Sequence, residues 1–108
     1  PHSKILLSWV IENVVKNAVD AMKGQGDLSI SLTQNNNYIY IDVKDSGSGM
    51  TKLQIRNAFK PGYSTKKRGW GLGLSLAKRA INEYHNGDIK IVESEIGKGT
   101  TFRIAMKM

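Results

Sequence analysis

Cysteine is absent from this 108-residue sequence. That removes disulfides, cysteine-ligated zinc and thiol catalysis from consideration. Histidine occurs only at His2 and His85, so a histidine-based metal centre is not expected. No apolar run approaches the roughly 20 residues that a membrane-spanning helix needs. No secretory signal opens the chain either, because Pro1-His2-Ser3-Lys4 leads straight into an amphipathic pattern. There is no long basic run, although 16 Lys and Arg stand against 9 Asp and Glu for a net charge of +7. That balance suits a polyphosphate ligand, an acidic protein partner or a nucleic acid. At 40% hydrophobic and 23% charged, the chain reads as one soluble globular domain and not a disordered one. It begins at Pro1 without an initiator Met, and we expect an excised domain, residues 1–108, of something longer.

Periodicity orders the rest. Leu7, Val10, Ile11, Val14, Ala18, Ala21 and Met22 recur at helical spacing and predict a helix over about residues 4–23. Gly24 and Gly26 stop it. Leu28, Ile30 and Leu32 alternate with Ser29 and Ser31, the pattern of a half-buried strand, and Ile39, Ile41 and Val43 repeat that alternation. Asn35-Asn36-Asn37 between them is expected to turn, since Asn tolerates left-handed backbone, so the two strands form a hairpin. A short helix is predicted near 51–58 with Thr51 or its neighbour as cap. Residues 59–71 read as a glycine- and lysine-rich loop. A second long helix follows over 72–84, with Leu76, Ala77, Ala80, Ile81 and Tyr84 on one side, stopped by Asn86-Gly87. Ile89 and Ile91, then Phe102, Ile104 and Met106, mark two more strands around a Gly97-Lys98-Gly99 turn. Helices with one apolar stripe each must pack on one sheet face, which gives a two-layer α/β sandwich.

Four clusters could carry chemistry. Asn13, Asn17 and Asp20 share one side of the first helix, away from its apolar stripe, and an amide oxygen suits Mg²⁺, which keeps waters and phosphates. Asp45-Ser46-Gly47-Ser48-Gly49 puts an acceptor at the end of a strand, with glycines that let a flat ring approach the backbone. Phe59 to Arg68 offers Ser64, Thr65, Lys66, Lys67 and Arg68 to phosphate oxygens. Gly69-Trp70-Gly71-Leu72-Gly73-Leu74 opens a helix with free backbone N–H groups. Each cluster alone also fits an ordinary polar helix face, a turn, a solvated basic loop or a hinge. The glycine spacing is neither the dinucleotide-binding Gly-x-Gly-x-x-Gly nor a Walker A loop.

Together, in this order, they closely resemble the ATP-binding catalytic domain of sensor histidine kinases, a branch of the Bergerat-fold (GHKL) ATPases. Asn13-x-x-x-Asn17-Ala18 looks like the N box, Asp45-x-Gly47-x-Gly49 the first glycine box, Phe59-x-Pro61 the F box and Gly69-x-Gly71-x-Gly73-Leu74 the second glycine box. Gly97-x-Gly99-Thr100-Thr101-Phe102 resembles the family's last hairpin. The resemblance spans nearly the whole chain. It implies a mixed, mostly antiparallel sheet with helices packed on one face.

The resemblance also implies ATP and Mg²⁺ as cofactors. Asn17 would coordinate Mg²⁺, and Asn13 would support it or contact phosphate, with Asp20 on the same strip. Asp45 would accept from the adenine amine, and Gly47 and Gly49 would shape its pocket. Thr65, Lys66 and the Gly69, Gly71, Leu72, Gly73 and Leu74 segment would surround the phosphates as a lid. Tyr63 or Tyr38 is expected over the base. Lys66 joins Asn13 and Asn17 as a catalytic candidate, since phosphoryl transfer needs positioning and charge neutralisation more than covalency.

The γ-phosphate would pass to a histidine on the parent's own dimerisation and phosphoacceptor helical domain, with a response regulator receiver domain downstream. Neither His2 nor His85 has the expected context, so the domain should bind ATP without phosphorylating itself. The implied setting is cytoplasmic, with no nucleic-acid partner and no direct membrane insertion of this domain. Anchoring of the parent in the inner membrane is left open.

Two departures stand out. Gyrase-type ATPases carry a Glu four residues before the metal-binding Asn; here that position is Asn13. Glu12 lies about 100° away around the helix, so rapid hydrolysis is not expected. Asp20 stands where many sensor kinases carry a basic residue. Asn17-Ala18-Val19-Asp20-Ala21-Met22 resembles the branch near nitrogen-sensor and hybrid kinases. The competing readings are another Bergerat ATPase, a serine kinase acting on an anti-sigma antagonist, a degenerate nucleotide-sensing module and, last, a nucleic-acid-binding domain.

Overall fold

The computed structural model describes residues 4–60 and 73–107. Helix α1 (Lys4–Ala21) is followed by strands β1 (Leu28–Gln34) and β2 (Tyr38–Asp45) and the short helix α2 (Lys52–Asn57). Helix α3 (Gly73–His85) and strands β3 (Gly87–Glu95) and β4 (Gly99–Lys107) complete the order. The predicted elements are all present, with α1 ending two residues early. Lys23 and Gly24 turn left-handed there (φ 55° and 78°), and the Gly24 N–H reaches back to the Val19 carbonyl. Thr51 caps α2 through a full capping box: its hydroxyl accepts from Gln54 N–H, and the Gln54 side chain accepts from Thr51 N–H.

The β1–β2 turn forms for a different reason than expected. No Asn in it has positive φ. Instead Asn35 Oδ1 accepts from both Asn37 and Tyr38 N–H at 2.8 Å, so the side chain closes the turn. Asn86 (φ 48°) does use the left-handed conformation, where it ends α3.

The strands form one sheet in the order β1-β2-β4-β3. Every neighbouring pair described is antiparallel, in keeping with the mostly antiparallel sheet expected. Strand β4 slots between β2 and β3. Its Phe102, Ile104 and Met106 sit beside Val43, Ile41 and Ile39 on one side and Ile91, Ile89 and Gly87 on the other. The core lies between this face and the helices, where Val10, Val14 and Ala18 of α1 meet Ala77, Ala80 and Ile81 of α3. Packing of one apolar stripe from each helix on one sheet face is the two-layer arrangement expected.

Two apolar stretches depart from expectation, strand β1 and Leu76 of α3. All seven residues of β1 are exposed, Ile30 by 55% and Leu32 by 70%. These residues sit opposite Val43 and Ile41 and so point to the helix side. However, β1 is the edge strand, and α1 lies over β2 and β4, short of it. Leu76, expected in the core stripe of α3, is 46% exposed beside Trp9 on the outer helix surface.

Candidate nucleotide site at the end of strand β2

Asp45 ends β2 on the helix-facing side of the sheet and is only 2% exposed. Its Oδ1 accepts from Gly47 N–H at 2.8 Å and from Thr100 N–H at 3.2 Å. Its Oδ2 is equally buried and finds no hydrogen-bond partner among the described residues. A buried acceptor left without a donor costs about 1–3 kcal/mol, and more when charged. Such an atom is therefore retained where a bound ligand, water or ion supplies the missing partner.

The turn after Asp45 is clamped on two sides. Ser48 N–H donates to the carbonyl of Ala21 at the end of α1, and Gly97 N–H of the β3–β4 turn donates to Ser48 O at 2.8 Å. A Cβ on Gly47 would stand 2.7 Å from the Ala21 backbone, and Gly49 (φ 71°) faces the Glu95 carbonyl just as closely packed. Only glycine fits these two contacts. The loop is thus pressed between α1 and the tip of the last hairpin, which fixes the direction of the carboxylate.

The second pole of the site lies up the same helix. Asn13 and Asn17 are one turn apart on α1 and half-buried, and Asp20 is exposed on the same strip. Asn13 Nδ2 donates to the Trp9 carbonyl at 2.9 Å. That leaves Asn13 Oδ1 facing the start of α3, where a Cβ on Gly73 would come within 2.8 Å. Eight residues separate Asn13 from Ala21, about 12 Å along the helix. The structure thus joins Asp45, Gly47 and Gly49 at one pole and Asn13 and Gly73 at the other, with Asn17 between.

Other expected site residues fare differently. Leu74 packs against the hydrophobic core. Tyr38 does not cover a base held at Asp45: it starts β2, about 23 Å along the strand from Asp45, and stacks on Tyr40 with ring centroids 6.1 Å apart. Tyr63, Thr65, Lys66, Gly69, Gly71 and Leu72 lie outside the described residues. Phe59 of the third cluster sits partly buried, edge-on to Phe102, with the Lys78 ammonium 4.7 Å from its ring centroid. Sequence reasoning read Gly97–Phe102 only as a hairpin and so missed Thr100, whose N–H holds Asp45, and Ser94, whose hydroxyl lies 2.8 Å from that of Thr100. Among the described residues, no group of three or more His, Cys, Asp or Glu converges.

A two-layer domain with one buried carboxylate oxygen unpaired among the described residues, beside glycine turns and with amides along the adjoining helix α1, is built to take a nucleotide. The chain belongs to the histidine kinase-, DNA gyrase B- and HSP90-like ATPase family, which it matches over residues 2–108. Within that family it is an ATP-binding catalytic domain of the protein-histidine kinase type.

It is 40% identical over 102 residues to sporulation kinase C of Bacillus subtilis (strain 168), covering 94% of this chain and 23% of that protein. It is 35% identical over 98 residues to the sensor histidine kinase ZraS of Escherichia coli (strain K12), covering 91% and 21%. A nucleotide-free form of the catalytic domain of histidine kinase ThkA superposes with a TM-score of 0.85 at 26% identity, covering 98% of this chain and 68% of that one. The chain therefore spans about a quarter of the length of the curated relatives just named. No helix among the described residues is long and apolar enough to cross a membrane.

Proposed function

We propose that this chain binds Mg-ATP and presents the γ-phosphate to a histidine on a separate dimerisation and phosphoacceptor domain of its parent, in two-component signalling. The observation that carries the reading is Asp45 Oδ2, a buried acceptor with no donor among the described residues. An exocyclic amine on a flat ring supplies that donor, and Gly47 and Gly49, packed against the backbone of Ala21 and Glu95, hold the loop that follows the carboxylate.

The chain's own groups divide the work. Asp45 reads the base, with its geometry preset by Gly47 and Thr100. Asn17 offers an amide oxygen toward the phosphates, and Asn13, anchored on Trp9, holds the junction of α1 and α3. Asn17 would hold Mg²⁺ beside the phosphates, since such an ion takes few protein ligands. Bound there, Mg²⁺ would neutralise phosphate charge. Lys66, Thr65 and the backbone of Gly69–Gly73 complete the phosphate end, and Tyr63 remains the aromatic candidate near the base.

The downstream partner is a receiver domain of a response regulator. Asn13 disfavours the ATPase alternative, because an amide does not take a proton from water. Incubation with γ-labelled ATP tests the reading: the chain alone stays unlabelled, and a phosphoacceptor domain of the parent gains label when the chain is added. Stoichiometric label on the chain itself, or none on the added domain, contradicts it.

A further inference from the structure

Helix α2 faces outward. No residue in it is fully buried, yet it is held at both ends. Before it, Met50 N–H donates to Ser94 Oγ at 2.9 Å, and Thr51 closes the capping box. After it, the Phe59 ring stands edge-on to Phe102, with the Lys78 ammonium 4.7 Å from its centroid. A six-residue helix fixed in this way is presented with little ordering left to lose on binding.

Its outer side is cationic. With 3.6 residues per turn, Lys52, Leu53 and Arg56 fall within one arc of roughly 100°. Ala58 keeps helical backbone (φ −55°, ψ −32°), and Lys60 N–H reaches the Asn57 carbonyl at 3.0 Å, which brings Lys60 to the same side. All four are exposed, Leu53 by 60%, whereas Gln54, Ile55 and Asn57 are half-buried. Lys78, Arg79, Lys98 and Arg103 each meet a carboxylate. Lys52, Arg56 and Lys60 form no ion pair among the described residues.

We propose that the outer side of α2 is a docking surface for an acidic segment of a partner protein: Leu53 is the apolar anchor, and Lys52, Arg56 and Lys60 take the carboxylates around it. The inference goes beyond the ATP reading and does not depend on it. Arg56 can hold a carboxylate through two parallel bonds, and cations grouped about one leucine reject basic partners. Two other polyanions fit less well. An interfacial helix buries a whole apolar face in a bilayer, and α2 offers one exposed apolar side chain, Leu53. Single-stranded nucleic acid needs exposed rings on which to stack its bases, and Phe59 is packed against the core.

Fluorescence anisotropy of this 108-residue chain with a fluorescein-labelled amphipathic peptide of Glu, Leu and Ala, in the absence of nucleotide, tests the idea. The chain is expected to bind the peptide and not its counterpart with Gln in place of Glu. Lys52→Glu combined with Arg56→Glu should weaken binding by about 10-fold or more, and Leu53→Ser by about 3- to 10-fold. Lys90→Glu combined with Lys107→Glu makes the same change in net charge on the open face of the sheet. That pair should alter affinity by less than about 2-fold, because exposed charges beyond a Debye length are screened. Arg56→Gln removes one charge without reversing it and should weaken binding in the same direction, should the double variant fail to fold by circular dichroism. Equal losses in the two charge-reversed pairs would mean that net charge alone is read, and would overturn the inference. Absence of peptide binding would overturn it as well. So would binding to phosphatidylglycerol vesicles or to oligothymidylate, in place of the peptide, that the α2 variants abolish.

Discussion

Thr100 donates its backbone N–H to Asp45 Oδ1 across 55 residues of sequence. With Gly47 N–H on the same oxygen, one half of the carboxylate is saturated by rigid backbone and the other half has no partner among the described residues. The acceptor is therefore aimed before any ligand arrives, and little ordering cost falls on binding.

Asp45→Asn isolates that aim. The amide oxygen can still accept from Gly47 and Thr100, which places an NH₂ where Oδ2 now lies. A lost charge-assisted bond is worth about 1.5–3 kcal/mol, or about 10- to 100-fold in ATP affinity. Calorimetry should show that loss with the melting temperature little changed; unchanged affinity rejects the adenine role of Asp45.

Two neighbouring glycines should respond differently. Gly99 (φ 124°) faces the carbonyl of Asp45, whereas Gly97 (φ 81°) has open space where a Cβ would stand. Gly97→Ala carries only the backbone penalty, about 1–2 kcal/mol. Gly99→Ala adds a clash with the chain that carries the site, and should cost more than about 3 kcal/mol. Urea unfolding of the two variants measures the difference; equal costs contradict the packing described.

Much of the architecture was legible because the core is built from single stripes. Val10, Val14 and Ala18 recur at helical spacing, and Ile41 and Val43 alternate on their strand, so local pattern and burial agree. Asp45 and its glycines were legible as a group for the same reason: they are contiguous. What escaped notice depends on contacts between distant segments. The insertion of β4 between β2 and β3 is a matter of topology, and it is this insertion that brings Thr100 to Asp45. Ser94 reads as any polar residue on a strand until β4 lies beside it. Leu28, Ile30 and Leu32 have the alternation of a buried face, yet the helix layer stops short of them, and nothing in the local pattern reports the width of that layer.

That exposure has a measurable consequence. Leu32, 70% exposed on the edge strand, makes little contribution to the core. Leu32→Lys should therefore change stability by less than about 0.5 kcal/mol. A charge on an open edge also discourages strand-to-strand association, so sedimentation should show less self-association than in the unmodified chain. A loss of several kcal/mol in urea unfolding would mean that β1 is covered after all.

Asn17 is the candidate metal ligand, and Asn13 stands where a hydrolytic enzyme of this family needs a base. Asn17→Ala should bring ATP affinity in Mg²⁺ close to that measured in EDTA. Phosphate release by the unmodified chain should stay well below about 1 per second, within the range typical of working enzymes. Mg²⁺-dependent binding that survives the substitution removes Asn17 from the metal site, and turnover at that rate favours an ATPase.

The most direct test of the account is a titration of the ¹⁵N-labelled chain with Mg-ATP, followed by amide shifts. The account predicts saturable changes, at one site, for Gly47, Gly49 and Thr100 around Asp45 and along α1 from Asn13 to Ala21, with GTP at least about 10-fold weaker. Unmoved resonances at these positions under saturating ATP, or equal responses to ATP and GTP, would contradict it.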